Sequence, residues 1–195
     1  MIIKRTISKE DIAKLTKVDF AGKIHVVETP QDAERAATYL KQFSLLGIDT
    51  ETRPSFKAGV TNKVALLQLS TYERCYLIRL CRVKFSNKLQ SILQRSDIVK
   101  VGADVAGDLR SLSKVRSFTP RGFLDLQSEV GKFGIEDKSL RKMSGIILGK
   151  RVSKAQRLSN WEAQSFTDQQ KVYAATDAWV CLKILERLKA EAAHK

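Results

Sequence analysis

Two carboxylates stand two residues apart at the point where an apolar run ends. The run is Leu45-Leu46-Gly47-Ile48, and Asp49 and Glu51 follow it. A strand turns alternate side chains to the same face, so both carboxylates would point into one small volume. Like charges held in that way repel each other and lose hydration, and a bound cation is the usual remedy. The pair therefore predicts a metal site.

A phenol and a carboxylate lie one helical turn apart near the other end of the chain. Tyr173 and Asp177 belong to a strongly helical stretch, and this spacing places them on one face. The face continues through Val180 and Ile184, so Asp177 lies on the stripe that the helix should bury. Because a buried carboxylate needs a partner, Asp177 is a second candidate functional residue.

A third acidic segment, residues 99–108, is typical of a short buried strand that runs into a helix. Asp104 occupies the position of an N-cap, and Asp108 lies one turn further on. Both carboxylates could face the same way. The spacing alone therefore leaves open which of the two contributes to a site.

The composition favours a polyanionic partner. The chain has 195 residues with 35 Lys and Arg against 21 Asp and Glu, a formal net charge of +14. Two stretches, at 110–121 and 138–161, contain Lys and Arg but no acidic residue, and they flank the acidic segments. Positive charge in these places would attract a phosphate backbone towards a cation bound by the acids. A basic surface kept for solubility is the alternative.

Cysteine and histidine chemistry is not indicated. The three cysteines have no CxxC spacing. Two histidines are too few for a histidine-rich zinc site, and their small number also argues against a Ser/His/Asp triad. Carboxylates must then carry any catalysis. No apolar run reaches membrane-spanning length, and the N-terminus lacks a signal-peptide core, so we expect an intracellular protein, cytoplasmic or nucleoid/nuclear, without membrane contact.

The pattern of elements predicts one α/β domain over residues 23–195, preceded by an arm or short helix over 1–22 that packs outside the core. The domain's predicted order is β-α-β-β-β-α-β-α followed mainly by helix. Such an order gives a mixed sheet with helices on both faces, in which the strand near Ile98 returns parallel through a helical crossover. Acidic groups at strand ends would then meet carboxylates from two helices in a cleft at the sheet edge.

Three segments together resemble the DEDDy 3′-5′ exonuclease superfamily: Asp49-x-Glu51, Gly107-Asp108 and Tyr173-x-x-x-Asp177. The similarity extends to the segments 63–69, 148–150 and 158–161, and in detail it favours the branch found in the Werner syndrome helicase. One departure is that Thr52-Arg53 follows the first motif where this branch tends to have a tryptophan.

The resemblance implies a ribonuclease H-like fold and two divalent cations, Mg²⁺ or Mn²⁺, with no nucleotide cofactor. It implies Asp49, Glu51, Asp108 and Asp177 as metal ligands, which leaves Asp104 as a cap. Tyr173, where a sister group has histidine, marks the tyrosine branch. Its unperturbed pKa is about 10, so at neutral pH we expect it to orient the attacking water rather than remove the proton.

Substrate contacts are predicted at five further positions. Lys154 and Arg157 could contact phosphates or belong to a solvated basic face, and Trp161 could stack on a nucleobase or anchor the loop before the last helix. Thr50 and Arg110 are the other two candidates.

Three functions follow from this similarity. The first is a 3′-5′ exonuclease that prefers DNA, the second is ribonuclease D-like trimming of RNA 3′ ends, and the third is a nucleic-acid-binding module with a silent site. The sequence leaves the oligomeric state open.

Overall fold

A computed structural model describes residues 4–57, 59 and 61–193 of the chain. Six strands form one sheet with the spatial order β1-β4-β3-β2-β5-β6. The strands are β1 (Lys23–Val27), β2 (Leu45–Thr52), β3 (Val64–Ser70), β4 (Arg74–Arg79), β5 (Val99–Gly102) and β6 (Phe123–Asp125). The helices are α1 (Lys9–Lys14), α2 (Pro30–Leu40), α3 (Asn87–Leu93), α4 (Val105–Ser113), α5 (Leu126–Gly131), α6 (Leu140–Leu148) and α7 (Asp168–Ala193).

The sheet is mixed, as predicted. β3 is antiparallel to β2 and to β4, and the short turn at Thr71–Glu73 joins β3 to β4 directly. β5 lies parallel to β2 after the crossover through α3, and β6 lies parallel to β5. Helices cover both faces: α2 and α3 pack on one, and α6 and α7 pack on the other. The predicted α/β fold class is confirmed.

Helix α7 crosses the sheet directly over β2. It has 26 residues and buries a continuous stripe that includes Ala174, Ala175 and Ala178. The close approach depends on Gly47 in β2, where an added Cβ would lie 2.0 Å from the Ala178 carbonyl oxygen. Small residues on both elements therefore set the depth at which the helix lies on the strand.

The N-terminal segment contains the short helix that the sequence predicts, but it does not stay outside the core. Ile12 of α1 is buried, and Phe20 is buried in the cluster beneath α7. The Phe20 backbone N–H donates to Thr176 Oγ1 at 2.9 Å. The segment that precedes β1 is thereby attached to the helix that carries Tyr173 and Asp177.

Candidate active site

The two carboxylates of β2 face α7, where they meet a third. One oxygen from each of Asp49, Glu51 and Asp177 lies within 4.8 Å of the other two. The period of the strand places the first two on one face, and the contact between α7 and β2 adds the third. Two elements far apart in sequence thus bring three carboxylates into one cluster, which we call the acid cluster.

Tyr173 lies one turn before Asp177 on the buried face of α7. Its side chain retains 9% of its exposure and that of Asp177 retains 7%. Burial, together with the nearby Asp177 and Glu51 side chains, raises the pKa of Tyr173. The phenol therefore stays protonated and able to donate.

Asp108 lies beside the acid cluster rather than within it. It is buried on the first turn of α4, and its Oδ1 accepts a hydrogen bond from Thr50 Oγ1 at 2.6 Å. Its Oδ2 is buried and has no hydrogen-bond partner in the described part of the chain. Thr50, predicted as a substrate contact, connects β2 to α4 through this bond.

Asp104 is the cap that the sequence analysis assigns to it. It adopts φ 62° and its side chain accepts from the Gly107 N–H at 3.3 Å. Asp125 is likewise the N-cap of α5, and its second oxygen accepts from the Val105 N–H at 3.0 Å. These two carboxylates fix the start of α4, and α4 in turn places Asp108.

Burial of the carboxylates, reinforced by their mutual repulsion, dominates the electrostatics of the site. Burial raises the pKa of Glu51 to about 10, and the charges of Asp49, Asp177 and Asp108 add to the shift. Burial also raises the pKa of Asp49 to about 7, that of Asp108 to about 9, and that of Asp177 well above its ordinary value.

The donor set fits hard divalent cations. All four carboxylates offer oxygen alone, which Mg²⁺ and Mn²⁺ prefer. A cation bound among them would offset the burial and repulsion that raise each pKa. Asp108 Oδ2, which has no hydrogen-bond partner among the described residues, offers a further ligand atom. Asp49, Glu51, Asp108 and Asp177 are therefore the residues that could hold metal.

Trp161 is fully buried, which excludes the prediction that it stacks on a nucleobase. Its ring packs edge-on against Phe166, and it lies 6.1 Å from the ring centre of Tyr173. Its indole N–H lies close enough to Glu51 to oppose the rise in the pKa of that group. Trp161 is thus a support beneath two site residues, the alternative that the sequence left open.

Sequence reasoning missed Arg79, whose side chain has no exposed surface. Its guanidinium forms an ion pair with Glu28 at 2.5 Å and donates to the carbonyls of Ala163 and Gln164. These carbonyls lie in the loop that carries Trp161. The sequence does show an arginine directly after the apolar strand segment Cys75–Ile78. It does not show which groups this arginine contacts, because they lie far away along the chain.

The remaining predicted contacts lie on the surface. Arg110, Lys154 and Arg157 are exposed. A cavity of about 440 Å³ opens beside Tyr173, lined also by Lys17, Gln156 and Asp168, and a second cavity of about 360 Å³ lies beyond Thr52. The first cavity is thus lined by one candidate site residue, and the second by the residue that follows Glu51. No helix within the described ranges has the length and apolar character needed to cross a membrane.

The architecture is that of ribonuclease H-like exonuclease domains. The crystal structure of the Aedes aegypti Nibbler EXO domain superimposes with a TM-score of 0.78 at 24% identity, covering 88% of this chain and 89% of that one. The Trypanosoma brucei RNase D complex with RNA U12 gives a TM-score of 0.77 at 21% identity, over 95% of this chain and 66% of that chain. At these sequence identities the two comparisons support a shared fold and no more than that.

The sequence comparisons define the family. Residues 24–193 match the family model of 3′-5′ exonucleases, so the chain belongs to the 3′-5′ exonuclease family. The mouse bifunctional 3′-5′ exonuclease/ATP-dependent helicase WRN is 30% identical over 163 residues, which are 80% of this chain and 12% of that protein. The predicted superfamily and its Werner-like branch are confirmed.

Proposed function

We propose that this protein is a metal-dependent 3′-5′ exonuclease that hydrolyses phosphodiester bonds from the 3′ end of DNA and releases nucleoside 5′-monophosphates. One observation carries the proposal: Asp49, Glu51 and Asp177 bring oxygens within 4.8 Å of one another. Asp108, buried beside them, is the fourth ligand. Together these residues would hold two divalent cations, Mg²⁺ or Mn²⁺.

Two such cations, when bound, would supply an activated water and stabilise the charge on the leaving 3′ oxygen. The chain's own contribution is geometric. β2 fixes two ligands with one strand, and α7 presents Asp177 and the Tyr173 hydroxyl from the opposite side. The protonated phenol donates a hydrogen bond that orients the attacking water, while the buried setting strengthens each charge interaction.

The distribution of charge supports a nucleic-acid substrate. Arg53, Lys63 and Lys114 line the cavity of about 360 Å³ beyond Thr52, which adjoins the end of β2. Phosphates that follow the scissile bond along the strand would meet these cations. We place DNA first because the sequence is similar to the Werner-like branch. Ribonuclease D-like trimming of RNA is the second activity to test, because a solved relative of the same fold holds RNA.

The decisive experiment offers 5′-labelled single-stranded DNA, recessed duplex DNA and RNA to the protein with Mg²⁺ or Mn²⁺. We expect a ladder that shortens from the 3′ end of DNA, and no ladder from Asp49→Ala. Asp97→Ala is the matched control, because Asp97 is exposed and paired with Arg95 on the surface.

Three results would contradict the proposal at different points. Cleavage that survives Asp49→Ala would exclude the metal assignment. A ladder from RNA alone would replace DNA as the substrate. Salt-sensitive binding with no cleavage of any substrate would identify a silent binding module.

A further inference from the structure

Gln68 lies in the middle of β3, on the face of the sheet that α7 covers. Its side chain has no exposed surface, and neither Nε2 nor Oε1 has a hydrogen-bond partner in the part of the chain that the structure describes. An unsatisfied polar group in a protein interior costs about 1–3 kcal/mol. Leucine would fill this position at no such cost, so the amide needs an explanation other than packing.

The sheet register identifies the polar group across from this amide. In the antiparallel pair of β2 and β3, Asp49 is directly opposite Gln68, and Glu51 is opposite Leu66. Opposed residues place their side chains on the same face with Cβ atoms roughly 4.5–5.5 Å apart. On its other side Gln68 is opposite Leu77 of β4, which offers no polar atom. The Asp49 carboxylate is therefore the polar group directly across from the Gln68 amide.

We propose that Gln68 is a positioning residue for the metal ligand Asp49. With a cation bound, its carboxamide would donate to one oxygen of the Asp49 carboxylate and leave the other oxygen to hold the cation. Partners of this kind commonly change metal affinity or activity by 10- to 100-fold. This inference rests on the proposed function and extends it, because it assigns a role to a residue outside the acid cluster.

The test separates a positioning role from a structural one by the sign of the stability change. Gln68→Leu keeps the volume and removes the unsatisfied amide, so its thermal midpoint in EDTA should equal or exceed that of the wild type. Gln170→Leu is the matched control, since Gln170 is also buried but accepts a hydrogen bond from the Thr167 N–H at 3.0 Å. The control should unfold at a lower temperature.

Metal affinity is then measured without turnover, as the rise in thermal midpoint during titration with Mn²⁺. For Gln68→Leu we expect the Mn²⁺ concentration at half-maximal stabilisation to increase about ten-fold or more. For Gln170→Leu it should equal the wild-type value. Gln68→Asn, with a shorter amide, should fall between the wild type and Gln68→Leu.

An unchanged Mn²⁺ titration of Gln68→Leu would overturn the inference, whatever its midpoint in EDTA. That result, with a wild type that responds to Mn²⁺ and cuts DNA, leaves the proposed function intact. If the wild type itself neither responds to Mn²⁺ nor cuts nucleic acid, both the inference and the proposed function fail.

Discussion

Tyr173 and Asp177 combine two roles on one face of α7. Asp177 is a ligand candidate within the acid cluster, while Tyr173 reaches the same space with a hydroxyl that burial keeps protonated. An acid cluster can bind cations without a phenol. The Tyr173 hydroxyl therefore matters for the attacking water and much less for the affinity of metal or substrate.

We predict that Tyr173→Phe lowers kcat about 100-fold, near the lower limit for a positioned proton-handling group. The dissociation constant for a single-stranded oligonucleotide should change less than about two-fold, because the substituted ring still fills the same space. Single-turnover kinetics and fluorescence anisotropy measure the two quantities. Tyr72→Phe is the control, since Tyr72 is 45% exposed and lies outside the site. An equal loss of binding and turnover would refute the orienting role.

The depth at which α7 lies on β2 determines whether the acid cluster forms. At Gly47 an added Cβ would lie 2.0 Å from the Ala178 carbonyl oxygen, so an alanine must push the helix away from the strand. Asp177 immediately precedes Ala178, and Asp49 lies two residues after Gly47. The same displacement would therefore separate two ligands.

Gly47→Ala should lower the free energy of unfolding by about 1–3 kcal/mol, the usual range for overpacking. It should also lower kcat by about 100-fold, because a displacement of about 1 Å has an effect of that size. Urea denaturation and the nuclease assay measure these changes. Gly131→Ala, where the added methyl meets nothing within 4 Å, should keep full activity. A fully active Gly47→Ala would show that the helix depth does not control the site.

Arg79 holds the loop that supports Trp161. Replacing it by methionine leaves the carbonyls of Ala163 and Gln164 without their donor, at about 1–3 kcal/mol for each unsatisfied group. We predict a loss of about 2–4 kcal/mol in unfolding free energy and a change in tryptophan fluorescence as the loop loosens. Arg82→Met, at an exposed arginine with a longer contact of 3.4 Å to Gln164, should stay within about 0.5 kcal/mol of the wild type. Equal effects from both would show that burial of Arg79 gives no advantage.

Residue spacing was sufficient to predict the elements and two of the residue pairs, but it did not distinguish Asp108 from Asp104. A two-residue period places Asp49 and Glu51 together, and a four-residue period places Tyr173 beside Asp177, so local geometry alone gives each pair. The alternation of apolar and polar residues likewise gave the sheet and its crossover. Spacing could not predict that the pair on β2 contacts the pair on α7, because this contact depends on where α7 crosses β2.

The residues that the sequence missed or misassigned depend on long-range packing. Arg79 contacts groups 51 to 85 positions away along the chain, and no local pattern records such a partner. The sequence left Trp161 open as a stacking residue or a buried anchor, because an aromatic residue near basic residues is common to both binding surfaces and cores. Burial alone distinguishes the two, and burial is a property of the folded chain.

The excess of basic residues surrounds a site that is itself strongly acidic. The formal net charge is +14, although three carboxylates converge in the acid cluster and a fourth, that of Asp108, is buried beside it. Basic residues outside the acid cluster attract the phosphate backbone at long range, and cations are needed where that backbone meets the acids. Binding and cleavage should therefore depend on different variables: ionic strength for the first and divalent cations for the second.

Affinity for single-stranded DNA, measured in EDTA so that the strand stays intact, should fall steeply with salt. About five phosphate contacts would give a loss of roughly 100-fold between about 50 and about 200 mM. Lys114→Ala should reduce the slope of log K against log salt by about 0.7, the value for one phosphate on a single strand, because Lys114 lines the cavity beyond the end of β2. Lys189→Ala, an exposed lysine near the far end of α7, should leave the slope unchanged. If both substitutions reduce the slope equally, the strand follows no defined path and binding reflects net charge alone.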